Sequence, residues 1–150
     1  MAELKGSNTE KNLQAAFAGE SQAFQKYTFY AAAARKAGMN EIADYFEETA
    51  HNESAHAKLW FKALHGEAEK EGFAKIAYQM REVGKIEARH EARYLALAAQ
   101  VSGNKVFHND EPVAWICANC GYVHVGEEAP KVCPVCAHPQ AFFHRFVESI

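Results

Sequence analysis

Apolar residues recur at helical spacing through the first hundred positions, and each of the three stripes they form is interrupted by acidic or imidazole side chains. In the first stripe Leu13, Phe17, Phe24, Tyr27, Ala31 and Ala34 leave one gap, which Glu20 fills. The second runs through Ile42, Phe46, Thr49, Leu59 and Ala63 and carries Glu53 and His56. The third runs through Ile76, Met80, Val83, Tyr94, Leu97 and Val101 and carries Glu87 and His90. Residues 9–101 contain no proline and are rich in alanine, glutamate, lysine and glutamine. The pattern predicts helices over about Thr9–Ala37, Glu41–His65 and Phe73–Val101. Breaks are expected at Gly38-Met39-Asn40 and between Gly66 and Gly72.

Beyond residue 102 the pattern changes. All four prolines and all four cysteines lie there, and the apolar residues shrink to runs such as Ala114-Trp115-Ile116 and Tyr122-Val123-His124-Val125. Such runs predict short strands. The expected organisation is a helical domain over 1–101, a linker over 102–113 that includes Ser102-Gly103-Asn104 and Asn109–Pro112, and a small β domain over 114–150.

A shift of 34 residues lays Gly38 on Gly72, Ile42 on Ile76, Ala43 on Ala77, Glu53 on Glu87 and His56 on His90. The second and third helices therefore read as two copies of one unit, each with Glu-x-x-His at the same depth. The repeat is incomplete, because Glu20 would fall on Ser54, inside the second helix.

Two constellations carry chemistry. Cys117 and Cys120 form one Cys-x-x-Cys pair and Cys133 and Cys136 another, 12 residues further on. Two such turns can present four thiolates tetrahedrally, which suits zinc or iron; spacing does not choose between them. Upstream, Glu-x-x-His places both side chains on one helix face within reach of one metal. Two inward copies, with Glu20 on a third helix, match the donor pattern of carboxylate-bridged two-metal bundles. Buried carboxylates without a cation would be prohibitively costly. The remaining histidines, His51, His65, His108, His124, His138 and His144, show no such pattern.

Composition narrows the partners. The net charge of −3 comes with scattered basic residues, which argues against nucleic acid. No apolar run approaches a membrane span, and Met1–Glu10 is too polar for a signal peptide. A cytoplasmic protein with no membrane partner is expected, its cysteines serving metal rather than disulfides.

The segments Ala16-Phe17-Ala18-Gly19-Glu20-Ser21-Gln22-Ala23, Glu53-Ser54-Ala55-His56, Glu87-Ala88-Arg89-His90, Cys117-Ala118-Asn119-Cys120-Gly121-Tyr122 and Cys133-Pro134-Val135-Cys136-Ala137-His138-Pro139 together resemble those of rubrerythrins. That resemblance, over nearly the full length, implies an all-α ferritin-like bundle followed by a rubredoxin-like domain. It implies one iron on Cys117, Cys120, Cys133 and Cys136, with zinc the alternative. It further implies two irons in the bundle on Glu20, Glu53, His56, Glu87 and His90, with Glu20, Glu53 and Glu87 as catalytic carboxylates. The implied activity is reduction of hydrogen peroxide to water in oxidative-stress protection, with electrons relayed through the four-cysteine iron. A rubredoxin or a separate NAD(P)H-dependent reductase would be the donor, since the chain has no dinucleotide-binding glycine motif. A head-to-tail homodimer is also implied. A ferritin-like ferroxidase and a structural zinc-ribbon protein are the alternatives.

The chain departs from the family pattern in one respect. Rubrerythrins have four long helices, the third supplying two more carboxylates in a Gly-Glu-x-x-Glu-like segment, and here Glu67-Ala68-Glu69-Lys70-Glu71-Gly72 resembles only that helix's tail. A stretch omitted between about Leu64 and Glu69, a shortened variant, or two chains that share or swap helices to complete the bundle would each account for it.

Overall fold

The computed structural model describes residues 4–64 and 73–146. Helix α1 spans Asn8–Lys36, α2 Asn40–Lys62 and α3 Phe73–Ser102. At the start of α1 the Ser7 hydroxyl accepts from the Glu10 amide at 3.1 Å, while the Glu10 carboxylate accepts from the Gly6 amide. This satisfies two donors that the first turn would otherwise leave unpaired. The expected break after α1 is a Schellman turn: Gly38 sits at φ 74°, its amide donates to Arg35 O, and the Met39 amide donates to Ala34 O. The same device, with Asn104 at φ 55°, closes α3. The expected end of the second helix at His65 and the break between Gly66 and Gly72 lie outside the described residues.

The chain divides into two compact units, Met1–Tyr30 with Phe46–Arg93, and Ala31–Tyr45 with Tyr94–Ile150. In the first, Leu4, Leu13, Trp60, Ala63 and Ile76 form a buried core, flanked by Ala16, Phe17, Leu59, Met80 and Val83. Leu13 and Ile76 each contribute about 1.5–3 kcal/mol through burial. Burial also includes Glu53, His56, His90 and Thr49, so the apolar stripe and its polar interruptions point the same way. Phe24 and Val101, assigned to the stripes by spacing, are 39% and 45% exposed.

In the second unit, strands β1 (His108–Cys117), β2 (Val123–Glu128) and β3 (Phe143–Arg145) form an antiparallel sheet in the order β2-β1-β3. β1 starts at His108, so the turn-like Asn109–Pro112 lies inside a strand. The ladder explains how: the register passes from His108 opposite Glu128 to Val113 opposite Gly126, leaving Asn109–Pro112 in a bulge where proline has no ladder bond to lose. Trp115, paired with both His124 and Arg145, is fully buried and donates its indole N–H to Gly126 O at 2.9 Å. With Cys117, Ala129, Cys133 and Phe143 it makes the second core. No helix among the described residues is long and apolar enough to cross a membrane.

The two Cys-x-x-Cys turns are built alike. After Cys117 and Cys120 comes Gly121 at φ 78°, whose amide donates to Cys117 O; after Cys133 and Cys136 comes Ala137 at φ 59°, whose amide donates to Cys133 O. Each turn is closed by its first cysteine, whose amide donates to Tyr122 O or His138 O. Ala137 thus occupies a left-handed position that costs an L-residue about 1–2 kcal/mol. Ala137→Gly should recover about 1 kcal/mol of that, net of glycine's greater freedom when unfolded, and raise the thermal midpoint of the second unit.

Candidate metal centres

The four cysteine sulfurs converge: all lie within 4.8 Å of one another. Cys117 Sγ is 3.7 Å from Cys136 Sγ and Cys120 Sγ 3.6 Å from Cys133 Sγ. These separations far exceed an S–S bond and match the edge, about 3.8 Å, of a tetrahedron with metal–sulfur bonds near 2.3 Å. The thiols are free, and their protons are unevenly held. The His138 amide hydrogen bond, with further help from neighbouring thiols, draws Cys136 down to about 6. The Tyr122 amide pulls Cys120 in the same direction, but desolvation and competition with three adjacent sulfurs outweigh it and push Cys120 up to about 12. Four adjacent sulfurs cannot all ionise without a cation. The donor set fits a metal, and all four cysteines read from the sequence are here.

The helical site gathers Glu20 from α1, Glu53 and His56 from α2, and Glu87 and His90 from α3. Its geometry has a near two-fold symmetry. Glu53 presents Oε2 to His56 Nδ1 at 3.2 Å and Oε1 to His90 Nδ1 at 3.4 Å. Glu87 presents Oε1 to His56 Nδ1 at 3.1 Å and Oε2 to His90 Nδ1 at 3.2 Å. Each carboxylate therefore spans both imidazoles, the three-dimensional form of the 34-residue repeat. Glu20 breaks the symmetry: its Oε2 lies 3.9 Å from His56 Nδ1, and no described residue plays its part beside His90.

Electrostatics shows what this cluster needs. Burial, then the neighbouring Glu87 and Glu20, raise the Glu53 carboxyl to about 8, and its side chain is only 1% exposed. Glu87 Oε1 is buried without a hydrogen bond despite its closeness to His56. A cation bound among the oxygens and Nδ1 atoms would supply the missing partner and relieve the carboxylate repulsion. Three carboxylates and two imidazoles suit a hard or borderline transition metal such as iron.

Three participants carried no sequence signal as site residues. Trp60, 1% exposed, donates its indole N–H to Glu20 Oε1 at 3.2 Å and fixes that carboxylate across 40 residues of chain. Its place seven residues after Glu53 on the same face was the one available hint. The Asn52 amide lies 3.3 Å from His90 Nε2 and holds the ring nitrogen that faces away from the carboxylates. Tyr27 stands close enough to feel the site: burial, then Glu53 and Glu87, lift its hydroxyl above the usual phenol range.

Comparison with known proteins gives two matches to family models, "Rubrerythrin" over residues 11–68 and "Rubrerythrin, rubredoxin-like domain" over residues 115–144. Among curated proteins, a rubrerythrin of Porphyromonas gingivalis is 43% identical, covering 93% of this chain and 90% of the relative. Rubrerythrin-1 of Clostridium acetobutylicum is 39% identical over 99% of this chain and its own full length. A rubrerythrin of Nitratidesulfovibrio vulgaris is 36% identical, covering 95% and 96% of the two chains. The first alignment runs over 181 positions against a chain of 150 residues, so that relative carries a stretch with no counterpart here.

Proposed function

Because the chain belongs to the rubrerythrin family, we propose that it is a non-haem iron peroxidase that reduces hydrogen peroxide to water at the Glu/His cluster. The observation that carries this reading is the pair of carboxylates, Glu53 and Glu87, each spanning both imidazoles, in the same chain as a converged four-cysteine cluster. Two irons held by Glu20, Glu53, His56, Glu87 and His90 would supply the two electrons that cleave an O–O bond, and one iron on the four cysteines would carry electrons singly. Everything else falls to the protein. Glu53 and Glu87 each lie against both ring nitrogens, so donor geometry is set before any metal arrives. Trp60 keeps Glu20 turned inward, and Asn52 keeps His90 from rotating. The four sulfurs leave no position for substrate, and electron transfer is the part we assign to that cluster. Free thiols arranged as a metal cradle fit a reducing compartment such as the cytoplasm. The working unit we propose is a head-to-tail homodimer fed by a rubredoxin or an NAD(P)H-dependent reductase.

The test is a comparison of oxidants. The anaerobically reduced, iron-loaded protein mixed with equimolar hydrogen peroxide or oxygen should reoxidise at least about tenfold faster with peroxide, a difference of about 1.4 kcal/mol in barrier. Equal or faster reaction with oxygen would favour a ferroxidase. A colourless, zinc-filled four-cysteine site after iron-replete expression would remove the relay.

A further inference from the structure

The two halves of the helical site are not held alike. Glu20 Oε2 lies 3.9 Å from His56 Nδ1, and no described residue plays that part beside His90. At the outer ring nitrogens the imbalance runs the other way. The Asn52 amide lies 3.3 Å from His90 Nε2, whereas among the described residues no hydrogen bond reaches His56 Nε2. We propose that Asn52 is a positioning residue for the iron at His90: it fixes the ring and so makes up for the carboxylate that this position lacks. The inference rests on the reading above that the Glu/His cluster binds two irons, and deepens it by making the two positions unequal.

The sequence repeat shows where the difference comes from. A shift of 34 residues, which lays Glu53 on Glu87 and His56 on His90, lays Asn52 on Ile86. The pairs Asn52–His90 and Glu48–Arg93 set an antiparallel register between α2 and α3, and in that register Ile86 stands level with His56. One copy of the unit therefore brings an amide to the facing imidazole. The other brings a hydrocarbon to the matching place, and a hydrocarbon can neither donate nor accept.

The hold matters because His90 has room to move. Beside it lies a cavity of about 190 Å³, walled by Asn52, Ile86, Arg89 and the Glu48–Arg93 ion pair and lined by neither Glu53 nor Glu87. A ring released from Asn52 can turn toward that space, and fixing a mobile side chain costs entropy each time a metal binds. An amide carries both donor and acceptor atoms, so Asn52 can meet Nε2 whether or not that nitrogen bears the proton. At His56 attraction replaces the hold: Glu20, itself fixed by the Trp60 indole, adds a third carboxylate there. The position with Glu20 should accordingly be the tighter of the two.

A ferrous-ion titration of the full chain tests the proposal. Protein carrying its four-cysteine iron is equilibrated anaerobically with buffered Fe(II). Bundle iron is then counted by elemental analysis after subtracting the four-cysteine iron, read from its visible band on reoxidation. The parent chain should take up two bundle ions in a tighter and a weaker step. In Asn52→Leu the weaker step should move roughly 10–100-fold to higher Fe(II), with the tighter step unmoved. Leucine is the better helix former, so the helical unit should keep its thermal midpoint. Asn52→Asp has the same shape and keeps an acceptor for the Nε2–H of a ring bound through Nδ1, so it should restore the weaker step. Unchanged affinities in Asn52→Leu, or failure of Asn52→Asp to restore the weaker step, overturns the positioning role and leaves the peroxidase reading standing. Loss of both steps together with a lower thermal midpoint does the same, since it would make Asn52 a structural residue. A parent bundle that takes up fewer than two irons overturns the two-iron reading itself, and the positioning role falls with it.

Discussion

Glu53→Ala should empty the helical site of metal while leaving the colour of the four-cysteine site intact. Glu53 is the most buried of the five donors and reaches both imidazoles, so its loss affects both halves of the site at once. Loss of a residue that merely supports a ligand weakens metal binding roughly 10–100-fold; loss of this spanning carboxylate should exceed that, and bundle metal should fall to background by elemental analysis. Stability separates the ligand role from a structural one. A carboxyl raised to about 8 by desolvation contributes no favourable burial. Replacing it by alanine should leave the metal-free helical unit as stable as before or more so. An essential structural group would show the reverse, with lower thermal stability and unchanged metal content.

The sequence revealed the site better than it revealed the site's surroundings, for a physical reason. Helical periodicity fixes which face of α1, α2 and α3 is apolar, and polar residues on that face at i and i+3 stand out because burying them is costly. Glu20, Glu53, His56, Glu87 and His90 were legible for that reason, and the repeat that relates two Glu-x-x-His pairs reappears as two carboxylates spanning two rings. The four cysteines were legible because two Cys-x-x-Cys turns impose their own local geometry. Contacts between distant segments were not. Trp60 meets Glu20 across 40 residues, and Asn52 meets His90 across 38, with no local pattern to announce either. β3, three residues long, is too short to show alternation; only its pairing with β1 makes it a strand. Phe24 and Val101 make the complementary point. A stripe says which face seeks cover, and not that a neighbour is present to provide it. Asn109–Pro112 read as linker because turn residues look the same in a loop and in a bulge.

Cys133→Ser should have the larger effect on the protein as a whole. Cys133 is 1% exposed, its amide is bonded to His138 O, and its side chain packs with Trp115, Ala129 and Phe143 in a core of few residues. A core that small depends on its metal: in minimal tetrahedral sites, metal binding supplies about 10–16 kcal/mol of folding free energy. A serine hydroxyl is a poor fourth ligand for soft, sulfur-preferring coordination, and here it would also be a buried polar group without a partner. The variant should lose the visible colour of the oxidised thiolate iron and the environment of Trp115, read by near-ultraviolet circular dichroism. The consequence for function then follows from the division of labour proposed above for the two centres. Turnover driven by a reductase should fall to background. Peroxide should still reoxidise a bundle that has been reduced chemically, because Glu20, Glu53, His56, Glu87 and His90 belong to the other unit. Reductase-driven turnover at the parent rate in a colourless Cys133→Ser protein would mean that electrons reach the helical site by another route, and the four-cysteine cluster would then be structural only.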